Sequence, residues 1–114
     1  MGRPLKSACS DIAENIALID RFTSGKTQHQ FSNDALLVAA VERCIERISE
    51  ASRSIPDHIK MQYPQHPWRD IANIGNILRH RYETIDTGVI WAVVAHDLPA
   101  LRTVVEKIRH EIEK

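Results

Sequence analysis

Apolar residues recur at three- and four-residue steps along almost the whole chain, and no stretch alternates apolar and polar residues as a half-buried strand would. Residues 33–52 show this pattern clearly, because Leu37, Val41, Ile45 and Ile48 would share one face of a helix. The same spacing predicts helices over residues 11–22, 68–82, 88–96 and 99–111. The chain is therefore predicted to be all-α, an antiparallel up-and-down bundle of four to five helices.

Capping and helix-breaking residues predict where these helices begin and end. Ser10 is expected to cap the first helix, which leaves residues 1–9 as a flexible N-terminal segment. Residues 26–31 are polar and predict a loop. Pro56 predicts a short helical turn, Thr87 is expected to cap a helix, and the Asp-Leu-Pro sequence at residues 97–99 is expected to start the last one.

Size, charge and cysteine content narrow the class of protein. A length of 114 residues is typical of one domain, residues 1–114. The 15 basic and 15 acidic residues cancel, which argues against a protein that coats duplex DNA through many phosphate contacts. Cys9 and Cys44 match no metal or redox spacing and indicate a reducing cytoplasm. No apolar run approaches about 20 residues, so no membrane span is expected.

The helix predicted over residues 68–82 carries the unusual polar residues. At about 100° per residue, Arg69, Asn73, Asn76 and His80 fall within a wedge of roughly 60°. The opposite side carries the apolar residues Ile71, Ile74 and Leu78. The apolar side is therefore predicted to face the core, and the polar wedge to face solvent or a partner.

His80 is the residue in this helix best suited to proton transfer near neutral pH. It lies between Arg79 and Arg81, whose guanidinium groups could hold a phosphate. This combination suits chemistry on a phosphodiester. On spacing alone, an ordinary solvated helix end is the simpler interpretation.

Three stretches of the chain resemble, in order, the HepT-like proteins of the HEPN superfamily. They are VER at residues 41–43 with IERISEA at residues 45–51, PWRDI at residues 67–71 with GNILRHRY at residues 75–82, and a third stretch from VIW at residues 89–91 to DLPAL at residues 97–101. The resemblance extends from about residue 10 to residue 108, which is nearly the whole chain.

The resemblance implies a homodimeric helical bundle in which the motif helices of two copies meet at a cleft. It also implies a metal-independent RNase without a cofactor, acting as the toxin of a toxin–antitoxin pair. The implied antitoxin is a minimal nucleotidyltransferase, which in some pairs transfers AMP to the motif tyrosine. The family motif is Arg, any four residues, His, any residue, Tyr. His80 matches its histidine, Tyr82 its tyrosine, and Asn76 the polar residue that often follows the arginine.

Gly75 stands where the family motif has its arginine. In the family that side chain would balance charge on the scissile phosphate, so its replacement bears directly on catalysis. A glycine inside a helix costs about 1 kcal/mol relative to alanine. A close approach of two helices, at a dimer seam, would explain its presence.

Two other arginines of this helix could replace the missing one. Arg79 is turned by about 100° from His80 around the helix axis, whereas Arg69 shares the face of His80 but lies about 16 Å away along the axis. We expect Arg79 to substitute, with Asn76 beside His80 in the catalytic group. The residues expected to contact the substrate are Arg69, Asn73 and Arg81.

Other interpretations of the same residues lead to different classes of protein. His80 and Glu83 form a single His–Glu step, and the remaining histidines show no pairing, so no metal site is expected. A catalytically inactive helical module that binds a nucleotidyltransferase is the main alternative, because of Gly75. A non-specific RNA binder is disfavoured by the neutral net charge.

Overall fold

The computed structural model describes residues 4–80 and 86–113, and it confirms the all-α class: no strand occurs within these two ranges. The helices are α1 (Leu5–Thr23), α2 (Gln28–Ser32), α3 (Ala35–Arg53), α4 (Asp57–Lys60), α5 (Trp68–His80), α6 (Thr87–Ala92), a π-helical turn (Val93–Asp97) and α7 (Leu98–Ile112). The long helices α1, α3, α5 and α7 correspond to helices predicted from the sequence, and α4 is the turn predicted after Pro56.

Helix α1 begins earlier than the sequence predicts. The expected flexible segment over residues 1–9 is wrong for residues 5–9, which form the first turns of α1. Ala8 and Cys9 are fully buried and extend the stripe formed by Ile12 and Ile16. Pro4 suits the position just before a helix because it has no N–H to leave unbonded.

Helix α3 is the centre of the bundle and packs against both α1 and α5. Asp34 caps it: its carboxylate accepts a hydrogen bond from the Leu37 N–H at 3.1 Å. Buried side chains recur along α3 on the sides that face its neighbours, namely Val41, Cys44, Ile45, Ile48, Ser49, Ala51 and Ser52. Helix α3 therefore holds both α1 and α5 in the bundle.

Helix α2 lies in the stretch predicted to be a loop, and that prediction is wrong. A reciprocal capping box starts it: Thr27 Oγ1 accepts from the Gln30 N–H at 3.1 Å, and Gln30 Oε1 accepts from the Thr27 N–H at 2.9 Å. Phe31 anchors it, because this side chain is fully buried and its ring lies 5.2 Å from that of Trp91. Because Phe31 is the single apolar residue among residues 26–31, the composition of this stretch did not indicate a packed helix.

The chain from α6 to α7 is continuous, so the predicted interruption at residues 97–99 is wrong. Instead, the helix widens into the π-helical turn, in which the Leu98 N–H donates to the Val93 carbonyl five residues earlier. Pro99 has no N–H, and a wider turn accommodates its position without ending the helix. Asp86, not Thr87, caps α6 by accepting from the Gly88 N–H at 2.7 Å.

This continuous stretch bears on the expectation that the chain has no membrane span. Thr87–Ile112 is long and apolar enough, by length and composition alone, to cross a membrane, with a mean hydropathy of 1.3 over its most apolar window. A mostly buried core helix can have the same length and composition, and 28% of this window is buried in the bundle. Its buried side chains, Ile90, Val93, Leu98, Leu101, Val105 and Ile108, belong to the core of the bundle.

Candidate active site

The C-terminal end of α5 presents His80 to solvent. Because α5 is helical from Trp68 to His80, the polar wedge predicted from the sequence is preserved. Arg69 and Asn73 are exposed, and Asn76 is partly buried one turn before His80. Helix α5 therefore displays an imidazole, two amides and a guanidinium along one side.

The side of α5 that faces α3 is closely packed. Ile71 and Leu78 are buried, as predicted, and Gly75 is buried between them. A Cβ atom at Gly75 would lie 2.2 Å from Ser49 Oγ and 2.4 Å from Ser49 Cβ, far inside van der Waals contact. The close approach that the glycine predicts therefore lies within one chain, between α5 and α3, and not at a dimer seam.

Hydrogen bonds reinforce this contact between the two helices. The Ser49 hydroxyl donates to the Ala72 carbonyl at 2.9 Å, and the Arg53 guanidinium donates to the same carbonyl at 2.9 Å. A larger side chain at position 75 would displace Ser49 and with it one of these two bonds. Where the family motif has its arginine, this chain therefore has a glycine that packs α5 against α3.

Arg79, the expected substitute for the motif arginine, lies on the flank of α5 nearest α3. Its guanidinium donates to the Glu50 carboxylate at 3.3 Å, and the two side chains are 41% and 53% exposed. Ion pairs as exposed as this one contribute at most about 1 kcal/mol. The guanidinium can therefore exchange this carboxylate for a phosphate at little cost to the fold.

The other flank of α5 forms a shallow groove with the π-helical turn. Asn73, Ile74 and Ile77 line it from α5, and Val93 and Asp97 line it from the turn. Its volume is about 300 Å³, and Ile77 is 52% exposed. π-helical turns occur often at functional sites, and an exposed apolar side chain in a groove is typical of a contact surface.

A larger cavity, of about 460 Å³, lies where α1, α3 and α5 come together, and the sequence motifs did not predict it. Its floor is a charged stripe of α3, formed by Arg43, Glu46, Arg47 and Glu50. The steps of three and four residues between these side chains were the available signal, but surface helices often carry such stripes. Arg79 is the residue of α5 that lines this cavity.

Three buried titratable groups, Cys9, Cys44 and His66, lie outside α5. Burial raises the pKa of the Cys9 and Cys44 thiols, against the smaller opposite effect of nearby arginines, so neither is activated as a nucleophile. Burial lowers the pKa of His66, and the Asp97 carboxylate partly opposes this effect. His66 packs edge-on against Trp68, with 4.6 Å between the ring centroids.

Two predicted site residues, Arg81 and Tyr82, lie outside the described residues. Across residues 4–80 and 86–113, no three histidine, cysteine, aspartate or glutamate side chains gather in the way that would hold a metal ion. The described part of the predicted site is therefore His80 and Asn76, with Asn73 and Arg69 further along α5 and Arg79 on its flank.

Comparison with known proteins identifies the class to which this bundle and its α5 segment belong. The family model described as "Ribonuclease HepT-like" matches residues 12–108. The chain belongs to the HepT-like ribonuclease family, which confirms the resemblance found in the sequence.

Curated relatives agree with this assignment. The chain is 39% identical over 109 residues to the "Probable ribonuclease HepT" of Thermococcus cleftensis, covering 96% of this chain and 99% of that protein. It is 35% identical over 114 residues to the "Gamma-glutamylcyclotransferase and putative RNase MJ0434" of Methanocaldococcus jannaschii, covering all of this chain but only 51% of that protein. No solved structure matches the chain.

Proposed function

We propose that this member of the HepT-like ribonucleases is a metal-independent endoribonuclease in which His80 is the general base. The observation that carries the proposal is the position of His80, exposed at the end of α5 within the segment that resembles the family motif. Asn76, one turn earlier, is close enough along the helix to orient the imidazole or the substrate.

The proposed reaction uses the RNA's own ribose as nucleophile. His80 takes the proton from a 2′-hydroxyl, and the resulting oxygen attacks the adjacent phosphorus. The bond to the 5′-oxygen breaks, and His80 of a second copy protonates that leaving oxygen. The products are an RNA ending in a 2′,3′-cyclic phosphate and an RNA beginning with a 5′-hydroxyl.

Positive charge near the attacked phosphate is assigned to Arg79. Its exposed pair with Glu50 is weak enough to be replaced by a phosphate, and its guanidinium offers the planar fork that suits phosphate oxygens. Arg69 and Asn73, further along the side of α5 that carries His80, are assigned to more distant substrate contacts. Arg81, which follows His80 in the sequence, is assigned to the substrate as well.

A homodimer would bring two copies of His80 to one cleft. The exposed apolar side chains of α5 and α6 support such an assembly: Ile77 on α5 is 52% exposed and Val89 on α6 is 50% exposed. Burying both against a second copy would remove apolar surface from water, which is the main driving force of association.

The proposed physiological role is that of a cytoplasmic toxin held in check by a minimal nucleotidyltransferase antitoxin. Transfer of AMP from ATP to the Tyr82 hydroxyl, with release of pyrophosphate, would add bulk and negative charge two residues from His80 in the sequence. An anionic substrate would then be repelled. Intact-mass measurement after co-expression with an active nucleotidyltransferase encoded next to this chain should show the mass of one added AMP per chain, and an unchanged mass would contradict the modification.

Cleavage of RNA by the purified protein in the presence of a chelator tests the proposed reaction. We expect products with 2′,3′-cyclic phosphate ends, and no cleavage of a strand that carries a 2′-deoxyribose at the cleaved position. Products with 3′-hydroxyl ends, or cleavage of the deoxy-substituted strand, would contradict the mechanism.

A catalytically inactive partner-binding module is the second candidate, and the packing of Gly75 against Ser49 favours it, because no arginine stands at that position. Expression of the chain alone separates the two candidates. Growth arrest that disappears with His80→Ala supports the enzyme, whereas normal growth together with binding of the nucleotidyltransferase supports the module.

A further inference from the structure

The cavity at the junction of α1, α3 and α5 is lined by three arginines and by three carboxylates, those of Asp11, Glu46 and Glu50. Arg43 and Arg47 lie on its floor, and Arg79 reaches it from α5. Its volume of about 460 Å³ is within the range of small-molecule sites. Because Arg79 and His80 are consecutive, the cavity begins one residue away from the proposed catalytic base.

Two arginines of this cavity, Arg43 and Arg79, are held only weakly by carboxylates. Arg43 Nη1 is 3.9 Å from Glu46 Oε2, and Arg79 is paired with Glu50 at 3.3 Å, with both members of the second pair substantially exposed. Exposed pairs at these distances are weak. A phosphate group can therefore replace the carboxylates as the partner of these guanidiniums, with the bidentate geometry that arginine favours.

Asn15, on the wall contributed by α1, provides a second and independent observation. It is only 8% exposed, its Nδ2 donates to the Asp11 carbonyl at 2.8 Å, and its Oδ1 accepts no hydrogen bond within the described part of the chain. Buried acceptors without a donor are rare in folded proteins. A donor on a ligand, reached when one exposed side chain of the cavity shifts, would complete this group.

We propose that this cavity, which we call the α3 cavity, binds one nucleotide of the RNA strand next to the scissile bond. Arg43, Arg47 and Arg79 contact its phosphate groups, and Asn15 and Glu46 accept hydrogen bonds from its sugar or base. The inference rests on the proposed ribonuclease function and adds a substrate subsite that extends from the motif helix onto α1 and α3.

RNA affinity, measured without turnover, tests the α3 cavity. The His80→Ala protein is mixed with a short fluorescent single-stranded RNA, and anisotropy gives Kd over a series of salt concentrations. Arg43→Gln with Arg47→Gln should raise Kd about tenfold at low salt. The slope of log Kd against log salt should fall by about 0.7 for each arginine–phosphate pair that the substitutions remove.

Arg102→Gln is the matched control, because Arg102 is similarly exposed and paired, with Asp20, but does not line the cavity. It should leave both Kd and the salt slope unchanged. Asn15→Leu should weaken RNA binding while the melting temperature stays constant or rises, because it removes a buried acceptor that has no donor.

Equal Kd values for the double variant and the Arg102→Gln control would overturn the subsite. If wild-type protein still cleaves RNA in that case, the proposed function stands without it. If wild-type protein neither binds nor cleaves RNA, the proposed function fails and the subsite with it. Weakened binding of a nucleotidyltransferase with unchanged RNA affinity would also overturn the proposal and assign the cavity to a protein partner.

Discussion

Two sides of α5 carry different parts of the family motif in this chain. On the side facing α3, Gly75 lies so close to Ser49 that even a methyl group would overlap it. On the solvent side, His80 is exposed and Asn76 is partly buried. Asn76 and His80, the two described motif positions that match the family, are on the open side, and the position that has changed is on the packed side.

Gly75 therefore has a structural role in this chain, because it allows α5 to approach α3 closely. The chemistry that remains depends on whether the charge of the missing arginine is supplied from elsewhere. Arg79, on the flank between the two sides of α5, is the described residue of this helix best placed to supply it.

Restoring the family's arginine is the change with the largest expected effect on the fold. Gly75→Arg would force α5 away from α3 and bury a charge against Ser49, so the free energy of unfolding should fall by about 3 kcal/mol. Urea unfolding followed by circular dichroism measures this change. An unchanged stability with faster RNA cleavage would show that the packed side of α5 tolerates the arginine.

Ser49, the residue that Gly75 contacts, provides the control for that prediction. Gly75→Ala should also destabilise, by about 1–3 kcal/mol from overpacking, less the gain of about 1 kcal/mol in helix propensity. In a Ser49→Gly background the clash is absent, so the same change should cost less. Equal costs in the two backgrounds would contradict a direct contact between these residues.

Removing the charge of Arg79 should affect activity more than stability. Arg79→Ala is expected to lower kcat/KM for RNA by about 10- to 100-fold, the size of effect of a charge-assisted contact. The melting temperature should barely change, because the pair with Glu50 is exposed. Arg79→Ala protein that cleaves RNA as fast as wild type would remove this assignment.

Glu50→Gln distinguishes the effect of the Arg79 positive charge from the effect of its ion pair with Glu50. It removes the same pair as Arg79→Ala but leaves the positive charge in place, so RNA cleavage should be retained or increased. An equal loss of activity in both variants would indicate that Arg79 acts through its contact with α3 and not on the phosphate.

Local pattern was sufficient to predict the fold class and the exposed wedge of α5, because both follow from helical periodicity. The sequence did not reveal the start of α1 at Leu5, since Ala8 and Cys9 are small and carry a weak apolar signal. It also gave no sign that Gly75 faces Ser49 within the same chain. That contact joins residues 26 positions apart, and only the packing of α5 on α3 defines it.

The free energy of unfolding at mildly acidic pH tests whether burial lowers the pKa of His66. This is the smallest effect that we expect. Its pKa is lowered in the folded state by burial, so the unfolded state binds protons first as the pH falls below about 6.5. The free energy of unfolding should therefore decrease from about pH 7.5 to about pH 5.5, and the decrease should be smaller in His66→Phe, which keeps a ring against Trp68.

An exposed histidine supplies the comparison for that measurement. His58→Gln is the matched control, because it removes an exposed histidine of α4 and leaves His66 in place against Trp68. An identical pH dependence in wild type and His66→Phe would contradict the role of burial at His66.

The most direct measurement of the central claim compares RNA cleavage by wild-type and His80→Ala protein, with melting temperatures measured on the same samples. If His80 is the general base on the open side of α5, the variant should cleave about 100- to 10,000-fold more slowly and melt at the same temperature, since this side chain is exposed. Full cleavage by the folded His80→Ala protein would contradict the account.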